Sequence, residues 1–162
     1  MIGIASDHGG FVLKQYLLDK TLGFSKNALS DFGCYNLDSV DYPIYGHKIS
    51  ESITNGEMER GIIICGTGIG ISISANRHPG VRAALCYDVT TARLAREHNN
   101  ANVLALGARM TAPELALEIL DVFLKTEFEG GRHKNRVDAI ELPNKKSFST
   151  RWRPYILGSR SK

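Results

Sequence analysis

Short apolar runs alternate with longer amphipathic stretches along most of the chain. Ile2 to Ala5, Ala28 to Phe32, Gly61 to Ile64, Val81 to Cys86 and Asn102 to Leu106 read as strands. Between them the apolar spacing turns helical. Leu13, Leu17, Leu18 and Leu22 form a stripe on a first helix that Gly23 can end. Thr111-Ala112-Pro113-Glu114 reads as a capping box with proline in the first turn, opening a helix whose Leu117, Leu120, Phe123 and Leu124 face inward. Strands this apolar, separated by helices, predict a parallel sheet covered on both faces. The expected fold is α/β: a three-layer α/β/α sandwich around a five-stranded, doubly wound, Rossmann-like sheet.

Length and charge refine this picture. At 162 residues the chain suits one domain with a substantial core. Residues 145–162 carry six of the 20 basic side chains and no acidic one, so residues 1–144 hold 14 basic against 17 acidic groups, a formal charge of −3. We therefore expect one domain over 1–144 and a basic C-terminal tail over 145–162, read as a solvated terminus and not as a nucleic-acid contact. Phe148, Trp152, Tyr155, Ile156 and Leu157 give that tail some capacity to dock on a neighbouring surface. Met1-Ile2-Gly3-Ile4-Ala5 starts a strand with no basic signal region, and no run approaches the ~18 apolar residues of a membrane span. A soluble, cytoplasmic protein is expected. Cys34, Cys65 and Cys86 are odd in number and show no metal-type pairing, which suits a reducing compartment without disulfides.

The chemistry concentrates in Cys65-Gly66-Thr67-Gly68-Ile69-Gly70, directly after the apolar run at 61–64. Alternating glycines let the backbone turn tightly, so that successive N–H groups can face one anion ahead of a helix. A free thiol has a pKa of roughly 8.5, and a helix N-terminus favours its thiolate. The loop thus offers a base and an oxyanion cradle together. Its spacing matches neither G-x-x-x-x-G-K-[ST] nor the dinucleotide fingerprint, which argues against a nucleotide loop. In doubly wound sheets ligands sit beyond the carboxyl ends of the strands. Asp7-His8-Gly9-Gly10, the cysteine loop, His98-Asn99-Asn100 and Gly107-Ala108-Arg109 are all expected on that rim. Arg132 and Arg136, four apart, would project from one face if the segment is helical and could grip a phosphate, the alternative being a solvated basic turn.

The ordered set Ser6-Asp7-His8-Gly9-Gly10-Phe11, Asp41-Tyr42-Pro43, Cys65 to Ser72, His98-Asn99, Asn102-Val103-Leu104, Gly107-Ala108-Arg109 and Glu129-Gly130-Gly131-Arg132-His133 closely resembles the type B ribose-5-phosphate isomerases of the ribose/galactose isomerase family. The resemblance covers about residues 1–142. It implies an aldose–ketose isomerase of the non-oxidative pentose phosphate pathway, acting on ribose 5-phosphate through a cis-enediolate. Relatives with the same loop act on allose or galactose 6-phosphate, and a non-catalytic sugar-phosphate sensor is a further alternative. By the same resemblance His98 opens the sugar ring, Cys65 moves the proton between C2 and C1, and Thr67 hydrogen-bonds the thiol. Gly66, Gly68, Ile69 and Gly70 line the enediolate cradle. Asp7, Tyr42 and Asn99 contact sugar hydroxyls, while His8, Arg109, Arg132 and Arg136 hold the phosphate. Some relatives place a catalytic glutamate at the position of Ser74, so the cysteine route is favoured here. A proton transfer within the substrate calls for no metal or other cofactor. The resemblance also implies a homodimer or dimer of dimers with shared sites, in which His98, Asn99 and Arg109 come from the partner.

Overall fold

Five parallel strands in the order β2-β1-β3-β5-β4 form the centre of the computed structural model, which describes residues 1–21 and 29–141. They are β1 (Ile2–Ser6), β2 (Leu29–Asp31), β3 (Arg60–Cys65), β4 (Ala83–Leu85) and β5 (Val103–Gly107). All five were expected, with ends one or two residues shorter or longer. The helices are α1 (Phe11–Thr21), α2 (Tyr42–Thr54), α3 (Ile69–Ala75), α4 (Val89–Asn99), α5 (Pro113–Lys125) and α6 (Gly131–Asp138). Leu22, Gly23, Ala28 and the basic tail lie outside the described residues. No helix among the described residues is long and apolar enough to cross a membrane.

The strands are apolar on both faces because each face has its own core. Ile62, Ile64, Leu104 and Leu106 point into a cluster with Leu13 and Leu17 of α1, Ala92 of α4 and Ile119, Leu120 and Phe123 of α5. Their alternate neighbours Ile63, Cys65, Val103 and Ala105 meet Ile49 of α2 and Ile71 of α3 on the other side. This is the two-residue period of a strand acting on a run with no polar member. Leu18, Leu117 and Leu124 are only half-buried at the edge of the first cluster.

The start of α5 differs from the expected capping box. Its N-cap is Ala112, with Pro113 in the first turn and no side-chain cap. The residue before a proline is pushed to extended geometry, and Ala112 obeys at φ −63°, ψ 147°. That makes Ala112 the boundary. Thr111 is left one position too early, its N–H on the Gly107 carbonyl and its buried hydroxyl without a hydrogen-bond partner among the described residues. A genuine capping box opens α4 instead, with the Asp88 carboxylate accepting from Thr91 N–H at 2.8 Å.

Successive strands are added in opposite directions from β1 and from β3. The connection after β1 leads outward to β2, whereas the one after β3 leads toward β4 and β5. The crevice between the carboxyl ends of β1 and β3 is therefore the switch point. Asp7 and Cys65 stand on its two sides.

Candidate active site

At the switch point β1 continues into a 3₁₀ turn, His8–Gly10, capped by Asp7. The buried Asp7 carboxylate accepts the Gly10 N–H through Oδ1 at 3.0 Å, and its own N–H donates to the Ile64 carbonyl. One flank of the crevice is thus tied to the other. His8 is half-buried, its Nδ1 held between the N–H (3.1 Å) and carbonyl oxygen (3.2 Å) of Val40. That leaves Nε2 for a ligand.

Across the crevice, Cys65 is 4% exposed and its Sγ accepts the Gly68 N–H at 3.1 Å. Gly68 is the N-cap of α3 with φ 78°, a left-handed conformation, and an added Cβ would stand 2.4 Å from Leu85 Cδ1. Only glycine fits there without strain. The expected bond from Thr67 to the thiol is not formed: Thr67 Oγ1 accepts the Ile69 N–H at 3.3 Å instead. The cause is the tight turn, in which the backbone amide of Gly68 takes the place beside sulfur. Gly70 meets Tyr42, whose Oη would lie 2.9 Å from a Cβ added there, so the phenol of α2 roofs the first turn of α3. Ser74 turns inward and donates to the Gly70 carbonyl.

Arg109 requires a correction. It follows β5, the neighbour of β3, and its N–H donates to the Gly66 carbonyl at 2.9 Å. Its Nε would stand 3.3 Å from a Cβ built on Gly66. The guanidinium therefore lies on the cysteine side of its own chain, whereas the resemblance implied that Arg109 comes from the partner.

The second correction concerns the expected single rim. In a strand–helix–strand unit the helix runs back against the strands, so its last turn lies at their amino ends. His98 and Asn99 close α4 at that opposite end. The Asn99 carbonyl accepts from Arg82, just before β4, and the Asn102 carbonyl accepts from Gly61 at the start of β3. Cys65 pairs with Gly107 at the far end of β5. The five residues of β5 separate the two groups by roughly 16 Å at about 3.3 Å per residue.

What surrounds His98 is a second cluster. Its ring stacks on His133 of α6, centroids 4.2 Å apart and planes within 7°. Arg132 Nε donates to His133 Nε2 at 3.3 Å, and Glu129 Oε2 lies 3.5 Å from the same nitrogen. Arg132 and Arg136 are both exposed on α6, as their spacing predicted. Burial, and after it the neighbouring His98 and Arg132, holds the His133 imidazole below its ordinary pKa, with Glu129 opposing. Sequence reasoning did not place His133 or Glu129 in the site, although their i,i+4 spacing was a usable signal. The side-chain ligand atoms of His98, Glu129 and His133 lie within 4.8 Å of one another. Parallel rings share no common plane, however, so one ion cannot take an in-plane lone pair from both as they stand. The arrangement is a stack, not a chelate.

The other two cysteines differ from Cys65. Cys86 is packed in the core, where burial pushes its thiol up to about 11, and Cys34 is buried beside Ser6.

The family model described as Ribose/Galactose Isomerase matches residues 2–140. Ribose-5-phosphate isomerase B of Escherichia coli is 42% identical over 139 residues, covering 86% of this chain and 93% of that protein. Among solved structures, ribose-5-phosphate isomerase B of Clostridium thermocellum is 53% identical with a TM-score of 0.81, covering 86% of this chain and 93% of its own. The Thermotoga maritima ribose 5-phosphate isomerase is 50% identical with a TM-score of 0.84, over 86% and 96% of the two chains.

Proposed function

The chain belongs to the ribose/galactose isomerase family, and we propose that it interconverts ribose 5-phosphate and ribulose 5-phosphate in sites each assembled from two copies of itself. The observation that carries the two-chain reading is the separation of Cys65 from His98 by the length of the sheet. A thiol base and a ring-opening imidazole must reach the same sugar, and one chain holds them at opposite ends. A second copy brings its His98 end to the Cys65 rim of the first. Ile69, Tyr87 and Met110 stand exposed around the glycine loop at 49%, 38% and 59%, an apolar collar suited to such a contact. With three unpaired cysteines, the enzyme fits a reducing cytoplasm.

In this reading the phosphate is gripped from both sides. His8 Nε2 and Arg109 hold it from one chain, and Arg132 and Arg136 from the other. Asp7, Tyr42 and the partner's Asn99 accept or donate to the sugar hydroxyls. His98 carries a proton from the anomeric hydroxyl to the ring oxygen, opening the furanose, a general acid–base task suited to an imidazole. Cys65 removes the C2 proton and returns it to C1. The oxygen that becomes negative in between faces the amides at the start of α3, where one lost donor typically costs about 10²- to 10³-fold in rate. Thr67 acts by closing that turn through Ile69, not by touching the thiol.

Complementation tests the shared site. Cys65→Ala and His98→Ala proteins should each be nearly inactive. Refolded together in equal amounts, half the dimers are mixed, and each mixed dimer holds one intact site and one with both lesions. Activity should return to roughly a quarter of wild type by that random pairing. No return, with mixed dimers seen by mass spectrometry, would place both residues in one chain's site.

A further inference from the structure

Lys14 is among the largest side chains fully buried in the described fold, and nothing in the proposed chemistry uses it. It is one of the buried residues of α1, with Leu13 and Leu17, and its ammonium nitrogen lies 2.6 and 2.5 Å from the two oxygens of Asp31 at the end of β2. The rings of Phe11 and Tyr35 flank it at 5.6 and 5.5 Å. Burying such a pair is costly, and well-packed apolar replacements are often neutral or stabilising. Stability alone is therefore a poor reason for an ion pair at this place.

The geometry points to a positioning role. Asp31 Oδ1 also accepts the Gly33 N–H at 2.9 Å, and the Tyr35 hydroxyl donates to the Asp31 carbonyl. The turn held in this way is bound to β1 on both sides of Ser6: Ser6 N–H donates to the Gly33 carbonyl at 2.7 Å and Cys34 N–H to the Ser6 carbonyl at 2.8 Å. Asp7 is the next residue. The same segment runs on to Val40, whose backbone brackets His8 Nδ1, and to Tyr42 at the start of α2. We infer that the ion pair between buried Lys14 and half-buried Asp31 sets the position of the 31–40 segment and thereby aims His8 at the phosphate and Asp7 at the sugar. The ammonium fixes the carboxylate, the carboxylate fixes the Gly33 amide, and the segment's backbone fixes the two groups that touch substrate.

This rests on the isomerase reading and on His8 as a phosphate contact. The test is a double-mutant cycle in the full-length protein. Lys14→Met/Asp31→Leu removes both charges together and so leaves no unpaired one. It should keep its melting temperature near wild type yet raise KM for ribose 5-phosphate roughly tenfold, the size expected of a coupled network, with a smaller change in kcat. His8→Ala should raise KM on its own. Combining it with the charge-pair variant should raise KM little further, because the ion pair acts through the imidazole. Wild-type KM in a folded Lys14→Met/Asp31→Leu protein overturns the inference, as do fully additive effects. If that variant does not fold, Asp31→Asn carries the same cycle, since it keeps an acceptor for Gly33 and weakens only the hold of Lys14. A His8→Ala protein with unchanged KM would instead defeat the phosphate assignment, which separates the two failures.

Discussion

The two halves of the proposed site are made of different material. The Cys65 half is built from backbone: glycine amides, a left-handed residue at Gly68, and a phenol packed directly on Gly70. The His98 half is built from side chains on two helices, stacked and bridged by Glu129 and Arg132. Even its support is a side chain. Buried Arg96 donates to the Asn100 side chain, the Ala101 carbonyl and the Thr126 carbonyl, so one guanidinium joins the end of α4 to the segment leading into α6. A backbone site tolerates almost no added atom, because a Cβ there meets main chain or core. A side-chain site loses what the removed group contributed and little more. The two should therefore fail differently under mutation.

The largest expected effect is on the backbone half. Cys65→Ala should lower kcat about 10²- to 10⁴-fold, the range for losing a positioned base, with sugar-phosphate affinity nearly unchanged by calorimetry. Retained turnover would remove Cys65 from the chemistry. Gly68→Ala should follow, for two reasons. A non-glycine residue in that conformation costs about 1–3 kcal/mol, and the clash with Leu85 and the Leu106 main chain displaces the amide that now donates to the thiol. We expect a kcat loss of about 10²-fold together with a lower melting temperature. Gly56→Ala, at a similar φ but with open space around it, should show the strain without the kinetic loss. Equal kinetics for the two alanine variants would mean that the cradle is not what Gly68 provides.

On the side-chain half, Arg132→Ala should act mainly through KM. A charge-assisted bond is worth about 1.5–3 kcal/mol, so affinity should fall roughly ten- to a hundredfold while kcat moves less. Arg132→Lys should recover part of that, since it restores the charge but not the fork. Similar specificity constants for ribose and ribose 5-phosphate would sink the phosphate grip altogether.

The contrast between the halves also explains how far the sequence could be read. Continuous apolar runs such as 61–64 and a glycine loop straight after one of them are local signals, and they located the sheet and the Cys65 half. What the sequence did not reveal was direction and neighbourhood. His98 looked like part of the same rim because it is polar and lies at a helix end, yet a returning helix delivers that end to the opposite side. Arg109 was assigned to the partner by resemblance, whereas the pairing of β5 with β3 brings it to Gly66 in the same chain. Thr111 matched a capping box by spacing, but Pro113 determined the boundary. Nothing local singles out Lys14 beside Leu13, because the carboxylate that draws it inward, Asp31, lies on β2.

The smallest effect is a pH dependence that only the side-chain half should show. His133 has its pKa lowered in the folded protein, chiefly by burial and then by His98 and Arg132. The unfolded chain, with an ordinary imidazole near pKa ~6.5, therefore binds the proton first. Stability rises with pH wherever the unfolded state holds more protons, so this group contributes nothing well above pH ~6.5 and destabilises progressively as pH falls below it. The loss levels off once pH drops beneath the lowered folded value. His133→Phe removes the titration while keeping a flat ring against His98. Denaturant midpoints between about pH 7.5 and 5.5 should fall less steeply for His133→Phe than for wild type, while Cys65→Ala, a change in the backbone half, should leave the wild-type slope intact. An identical slope in His133→Phe would show that the stacked imidazole titrates as it does in the unfolded chain, and that the His98 platform is held without any cost to its charged form.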